Sequence, residues 1–212
     1  MPNFRWNGYE FYDAPKNGGT TIRLWLKLAE GGLPEAFDAT GYYSLAGLGR
    51  PQAWMDTVMS HSPFFAPGLS GSHRWCIVRD PLERFISAYT DKILREQLAA
   101  WSVDQCIEML VSGEMLQLAR HAASRPQRRA ACHLLAQSTW FGSSRSYFHT
   151  VFQLSSMHLV KAFCEEHVFQ MALPAFHARN RSCTPIHRIS LTQSQADRLS
   201  DVYQSDYDAG WC

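Results

Sequence analysis

Charge is scarce in this sequence, and no part of it stays apolar for long. Only 18% of its 212 residues are charged and the formal net charge is +1 at pH 7, so a general affinity for nucleic acid is not expected. No run approaches the ~18 consecutive apolar residues that a membrane-spanning helix needs. The first ten residues lack the apolar core of a secretory signal, and we therefore expect a cytoplasmic protein without a membrane span.

Two further absences concern metals and local charge. The six cysteines are scattered without a C-x-x-C pair, which argues against a structural zinc site or a disulfide framework. Residues 115–164 contain no Asp or Glu, but they do contain Arg120, Arg125, Arg128, Arg129, Arg145 and Lys161. This excess of cations could steer an anionic ligand towards a site, or it could be a solvated basic face without a partner.

Two segments predict a strand that turns directly into a helix. Tyr9–Ala14 is a short aromatic strand followed by a helix over Thr20–Glu30. His73–Arg79 is an apolar strand, after which Asp80 can cap a helix that has Pro81 in its first turn. Two such units in sequence predict an α/β fold, with a central parallel sheet flanked by helices. The length suits a single domain over residues 1–212.

Later segments predict further helices and one more strand. Ser102-x-x-Gln105 has the pattern of a capping box, and Thr150–Leu154 predicts a strand. Ser155 is expected to cap a helix that runs to about residue 167. A second capping box begins at Thr192 and starts a last helix that Gly210 ends. The expected buried stripe of that helix is Ala196, Leu199, Tyr203 and Tyr207.

The stretch YDAPKNGGTTIRLW contains a candidate phosphate-binding loop. Gly18 and Gly19 lie between a strand and a helix, where the first backbone amides of the helix can surround an anion. Thr20 and Thr21 add hydroxyl donors, and Lys16 adds a cation at the rim. In the nucleotide loop G-x-x-x-x-G-K-[ST] the lysine follows the glycines, whereas here it precedes them. The alternative is a simple glycine turn without a ligand.

The stretch CIVRDPLERFISAY contains a candidate for a second anion site. Arg79 lies at the carboxyl end of a predicted strand, the edge at which open α/β sheets bind ligands. Its guanidinium can bind a phosphate with two parallel hydrogen bonds. Ser87 lies two helical turns beyond Asp80 and returns to the same side of the helix. The alternatives are an ion pair between Arg79 and a neighbour, and an indifferent position for Ser87.

Together, PKNGGTT and VRDPLERFISAY resemble the two donor-binding motifs of sulfotransferases that use 3'-phosphoadenosine 5'-phosphosulfate (PAPS), most closely the carbohydrate sulfotransferase branch. The resemblance implies a P-loop-like phosphosulfate-binding loop and 3'-phosphoadenosine 5'-phosphate (PAP) as product. It assigns the 5' end of the donor to Lys16, Asn17, Gly18, Gly19, Thr20 and Thr21, and the 3'-phosphate to Arg79 and Ser87. Lys16 would also be catalytic, because it can reach the oxygen that bridges sulfur and phosphorus and stabilise its developing charge. No metal is then required.

The attacking hydroxyl needs a general base, for which the sequence offers several candidates. His61 lies between the two motifs, in the region where the family often has a catalytic histidine or glutamate, and it is the first choice. A structural role for this histidine is the alternative. His133 and Gln137 are further candidates for contact with the acceptor or the donor. Asn180 and Ser182 precede the last helix, where the family often closes the nucleotide pocket.

The expected reaction is an in-line transfer of a sulfuryl group to a hydroxyl of a carbohydrate or of a small natural product such as an alkaloid. O-sulfation is favoured over N-sulfation as the commoner case. The acceptor pocket could be lined by aromatic residues that could equally belong to the core: Tyr42, Tyr43, Phe64, Phe65 and Trp140. A P-loop kinase or NTPase and a non-catalytic nucleotide-binding module are the alternatives. The oligomeric state does not follow from the sequence.

Overall fold

The computed structural model describes residues 4–29, 31, 71–174 and 189–212. Within these residues a sheet of four strands has the spatial order β1-β2-β3-β4, formed by Phe4–Trp6, Tyr9–Tyr12, His73–Val78 and Thr150–Gln153. Strands β2, β3 and β4 are parallel, and β1 pairs antiparallel with β2 at one edge. The predicted α/β fold with a mostly parallel sheet is confirmed, while the expectation of a single domain over residues 1–212 stays a prediction.

The edge strand β1 is missing from the sequence-based prediction, although the chain carries a signal for it. Asn7 and Gly8 have φ of 45° and 80° and join β1 to β2 with Trp6 opposite Tyr9. This left-handed pair matches the right-handed twist of the flanking strands, and Asn-Gly is the strongest short signal for such a hairpin. The hairpin was therefore predictable from the dipeptide alone.

The helices that follow β2 and β3 begin where their local signals place them. Helix α1 spans Gly19–Ala29 and helix α2 spans Pro81–Tyr89. The Asp80 side chain caps α2 by accepting a hydrogen bond from the backbone N–H of Glu83 at 2.8 Å. Helix α2 continues into a π-helical turn over Thr90–Arg95. Single π-helical turns of this kind occur frequently at functional sites.

The second half of the described chain is mainly helical. Its helices are α3 (Val103–Val111), α4 (Glu114–His121), α5 (Arg125–Leu134), α6 (Ser138–Phe141), α7 (Met157–Phe163), α8 (Gln193–Val202) and α9 (Gln204–Asp208). Both predicted capping boxes, at Ser102 and Thr192, are confirmed. The cap predicted at Ser155 is wrong, because a 3₁₀ turn over Leu154–Ser156 intervenes and α7 begins after Ser156 without a side-chain cap.

The predicted last helix is interrupted at Tyr203, which separates α8 from α9. Leu199 and Tyr203 are fully buried, whereas Ala196 and Tyr207 are half-buried, so the predicted stripe is correct in position and only partly in burial. Gly210 follows α9 with φ of 72°, the left-handed conformation expected after a helix.

The sheet is buried on both faces. Phe11, Trp75 and Ile77 face a cluster that includes residues of α1 and α7. Tyr12, Cys76 and Val78 face a larger cluster built from α2 to α6 and from α8 and α9. This alternation explains why β3 reads as a continuous apolar run. Helices cover both faces of the sheet. The two candidate loops therefore emerge at its edge, where the parallel strands have their carboxyl ends.

Candidate anion-binding site

The glycine loop follows β2 and leads directly into α1. Lys16 and Gly18 both adopt the left-handed conformation, with φ of 75° and 85°. Because α1 begins at Gly19, the amides of Gly19 and Thr20 have no carbonyl partner within the helix, whereas the Thr21 N–H donates to the Gly18 carbonyl at 2.9 Å. Thr20 and Thr21 are half-buried beside these amides. The loop therefore offers an anion several donors at the positive end of the α1 dipole.

Both glycines of the loop are required by close contacts. A Cβ on Gly18 would lie 2.9 Å from the Leu154 side chain, and a Cβ on Gly19 would lie 1.8 Å from Oδ2 of Asp13. The Asp13 carboxyl is buried, which raises its pKa, while the Arg23 guanidinium at 2.9 Å opposes that shift. The Arg23 guanidinium thus compensates the negative charge of Asp13 beside the loop. Glycine at positions 18 and 19 lets the backbone lie close to Leu154 and Asp13, where any side chain would overlap with them.

Lys16 lies in a cluster of cations that share one carboxylate. Its Nζ is 2.9 Å from Oδ2 of Asp91, and the same carboxylate pairs with Lys92 and Arg95. Burial, together with the positive charges of Lys92, Arg95 and Arg79, lowers the pKa of Lys16 to about 7. Glu96 also pairs with Lys92 and Arg95, so two carboxylates serve these three cations, and burial remains the largest cause of the low pKa of Lys16. The excess positive charge suits an anionic ligand.

The second motif lies beside this loop, at the end of the neighbouring strand β3. Arg79 is half-buried, and its guanidinium forms an ion pair with Glu83 at 3.5 Å, which is the alternative considered for it above. Ser87 is half-buried on α2. A cleft of about 310 Å³ opens at the carboxyl ends of β3 and β4 and is lined in part by Arg79, Glu83 and Leu154. The same Leu154 packs against Gly18, so the cleft adjoins the glycine loop.

Gln137 joins the two motifs, a role that the sequence did not indicate. Its buried Oε1 accepts from Nδ2 of Asn17 at 2.7 Å and from the backbone N–H of Arg79 at 3.0 Å. Its Nε2 donates to the carbonyls of Arg79 and Trp211, each at 2.7 Å. An isolated glutamine carries no recognisable signal for such a position. All of these bonds are to other parts of the protein, whereas the role suggested for Gln137 from the sequence was contact with the acceptor or the donor.

Asn17 turns its side chain into the protein. Besides the bond to Gln137, its Nδ2 donates to the Ile77 carbonyl at 2.9 Å, and its backbone N–H donates to the Ala14 carbonyl at 3.2 Å. These contacts attach the loop to the end of β3. Contact between Asn17 and the donor stays a prediction.

Arg84 is a second residue that sequence reasoning missed. The side chain is fully buried, and its guanidinium donates to the carbonyls of Pro15 at 3.5 Å, His133 at 3.1 Å and Leu135. It therefore attaches the glycine loop to the carboxyl end of α5, where exposed carbonyls favour a cation. Its position in the helical pattern of α2 was the available signal, because it lies on the buried side with Phe85.

His133 lies near the same cluster of cations. Its Nδ1 lies 2.7 Å from the Arg129 carbonyl, which can only accept, so Nδ1 carries the proton and Nε2 keeps a lone pair. Burial, together with the charges of Lys92 and Lys16, holds the pKa of His133 well below its usual range. The ring is therefore neutral at pH 7. The other candidates, His61, Asn180 and Ser182, lie outside the described residues, as do Tyr42, Tyr43, Phe64 and Phe65.

Several residues considered for ligand contact have structural roles. Arg128 donates to the Ala122 carbonyl at 2.8 Å, Arg129 pairs with Glu96 at 3.2 Å, and Arg145 donates to the Gly210 carbonyl at 3.2 Å. Trp140 is buried in the core. These arginines thus connect parts of the fold, and Arg129 and Arg145 remain exposed while they do so. The described residues contain no cluster of three or more His, Cys, Asp or Glu placed to hold a metal ion.

Comparison with known proteins gives one family. Residues 50–133, about two fifths of the chain, match the family described as the sulfotransferase family. The match contains Arg79 and Ser87, whereas the glycine loop precedes it. No curated protein and no solved structure matches the chain. None of the helices in the described ranges has the length and apolar character needed to cross a bilayer.

Proposed function

We propose that this chain, which carries a sulfotransferase-family region at residues 50–133, transfers the sulfuryl group of PAPS to a hydroxyl and releases PAP. The observation that carries the proposal is the adjacency of the two candidate anion-binding segments, which follow the neighbouring parallel strands β2 and β3. One ligand with an acidic group at each end suits such a pair. The family region supports sulfuryl transfer in general, and the choice of donor rests on this geometry.

The glycine loop would hold the 5' end of the donor. The amides of Gly19 and Thr20 at the start of α1 and the hydroxyls of Thr20 and Thr21 can donate to phosphate oxygens. Gly18 and Gly19 allow the close approach, because a side chain at either position meets Leu154 or Asp13. Lys16 supplies the positive charge at the entrance of the loop.

Arg79 and Ser87 would hold the 3'-phosphate. Arg79 borders the cleft, and the exchange of its long 3.5 Å contact with Glu83 for two short bonds to a phosphate strengthens its interactions. Ser87 adds one hydroxyl donor from helix α2. Discrimination between PAP and a nucleotide without the 3'-phosphate is then the property that these two residues control.

The chemistry supplied by the donor is an activated sulfuryl group, and the protein contributes alignment and charge. Lys16 stabilises the negative charge that develops on the oxygen bridging sulfur and phosphorus. To do so, its ammonium must exchange Asp91 for the donor. The carboxylate is not left unpaired by this exchange, since Lys92 and Arg95 keep their contacts with it.

A general base completes the proposed mechanism, and we assign it to His61. His133 is the alternative, because its Nε2 has the lone pair that a base requires. The low pKa of His133 makes it a weak base in the free protein. Negative charge bound beside Lys16 and Lys92 would raise the pKa of His133 and make this histidine a stronger base.

The acceptor is a hydroxyl of a carbohydrate or of a small natural product, with O-sulfation favoured. Turnover of labelled PAPS by the purified protein against a panel of sugars, phenols and alkaloids tests this assignment. His61→Ala and His133→Ala separate the two bases, because removal of the true base also removes the fall in rate at low pH that its protonation causes.

Two substitutions test the donor site directly. Lys16→Ala and Arg79→Ala should each abolish turnover, while two matched controls, Lys161→Ala and Arg198→Ala, should retain it, because Lys161 pairs with Glu165 in the turn after α7 and Arg198 pairs with the exposed Glu108 of α3. Full activity in both Lys16→Ala and Arg79→Ala contradicts the proposal. Hydrolysis of ATP that depends on magnesium would point to an NTPase, and PAP binding without turnover on any acceptor would point to a binding module.

A further inference from the structure

We propose that Gln137 is a positioning residue that sets the distance between the two anion-binding elements, and so determines how tightly a ligand with two acidic ends binds. This inference rests on the proposed function, because it concerns the same donor. It assigns to Gln137 no contact with donor or acceptor.

All hydrogen-bonding positions of the Gln137 side chain are used within the protein. A primary amide has two N–H donors and two acceptor positions on its oxygen. Here the oxygen accepts from Asn17 and from the Arg79 N–H, and the nitrogen donates to the carbonyls of Arg79 and Trp211. The side chain is fully buried, so water cannot replace these partners at low cost.

The backbone of Gln137 is held independently of its side chain. The N–H groups of Gln137 and Ser138 donate to the two carboxylate oxygens of buried Asp206, at 2.8 Å and 2.6 Å. This carboxylate lies at the start of helix α6 and anchors it to α9. The amide of Gln137 is therefore presented from a fixed point rather than from a free loop.

One atom, Oε1 of Gln137, is bonded to both motifs. Asn17 belongs to the glycine loop, and the Arg79 N–H belongs to the end of β3. The sheet register places β2 beside β3 but ends at Tyr12 and Cys76, before either motif begins. Beyond the register, Gln137 is thus a direct connection between the loop and Arg79, and a shift of either motif would strain bonds to the other.

The consequence for binding is specific to two-ended ligands. When one end of PAP is bound, the second end is presented to its site at a high effective concentration, provided that the sites have the right separation. If the separation varies, this advantage declines and PAP binds more like a mononucleotide. A nucleotide with a single phosphate uses one element only and does not sense the separation.

The test compares three ligands by calorimetry: PAP, adenosine 5'-monophosphate and adenosine 3'-monophosphate. In Gln137→Glu, which keeps the shape but cannot donate to the two carbonyls when ionised, PAP affinity should fall by about tenfold or more, while each mononucleotide changes less than about twofold. Asn17→Ala removes the bond from the loop to Gln137, together with the bond from Asn17 to the Ile77 carbonyl, and should give the same pattern if Gln137→Glu does not fold. Tyr203→Phe is the control, because it removes a buried bond to the Leu134 carbonyl and keeps the ring over which the Arg84 guanidinium lies.

The outcomes separate this inference from the proposed function. Equal losses for all three ligands, or no loss of PAP affinity in either variant, overturn the positioning role while leaving the donor assignment intact. A wild-type protein that binds none of the three ligands overturns the donor assignment, and with it this role of Gln137. Selective loss of PAP affinity in the variants, with Tyr203→Phe unchanged, supports the positioning role.

Discussion

The affinity of the protein for PAP should fall steeply between pH 7 and pH 9 because of Lys16. In the free protein, burial and the neighbouring charges of Lys92, Arg95 and Arg79 lower the pKa of this lysine to about 7. The negative charge of bound PAP favours the ammonium form and raises that pKa in the complex. Above pH 7 binding must therefore add a proton to Lys16, whereas below pH 7 the proton is already present.

The size of the effect follows from this pKa of about 7. The protonated fraction of Lys16 falls from about one half at pH 7 to about one hundredth at pH 9. PAP affinity should therefore fall about fiftyfold across this interval, as long as the pKa in the complex exceeds 9. Ionisation of the phosphates themselves, near pH 6, is nearly complete above pH 7 and adds little.

Calorimetry at pH 7, 8 and 9, each in two buffers of different ionisation enthalpy, measures both the affinity and the protons taken up. We expect uptake to rise towards one proton per PAP at pH 9. Lys16→Arg is the matched control, because a guanidinium stays charged throughout and should remove both the slope and the uptake. Affinity that is constant from pH 7 to pH 9, or a slope that persists in Lys16→Arg, would refute the reasoning.

Three further predictions concern stability. Gly19→Ala should lower the free energy of unfolding by about 1–3 kcal/mol through overlap with Asp13, measured in urea, and Asp13→Ala should restore much of it in the double variant. Arg84→Met should cost about 3 kcal/mol or more in the same assay, since the Pro15 carbonyl and two others lose a charged donor, and a loss under 1 kcal/mol would contradict this role. Burial and nearby positive charge lower the pKa of His73, so its contribution is complete above about pH 6.5 and is lost as the pH falls below that value; a melting profile from pH 7 to 5 should show this loss, and His73→Gln should lessen it.

The location of the strands and helices next to the two motifs could be predicted because their signals are local. Asp80 caps the helix that begins at Pro81 through a bond to a residue three positions away, and the capping boxes at Ser102 and Thr192 act over the same distance. The cap predicted at Ser155 is wrong because the chain does not pass directly from strand to helix there. A 3₁₀ turn over Leu154–Ser156 separates β4 from α7.

What the sequence by itself determined is the pair of strand-to-helix turns, with the residue types that can bind an anion at each. Only the tertiary structure decided how these turns are joined and how their charges are set. Gln137 bonds to residues 120 and 58 positions away, and Asp91 meets Lys16 across 75 positions. Such contacts depend on how the helices pack over the sheet, and this packing is a property of the whole chain that no short segment encodes.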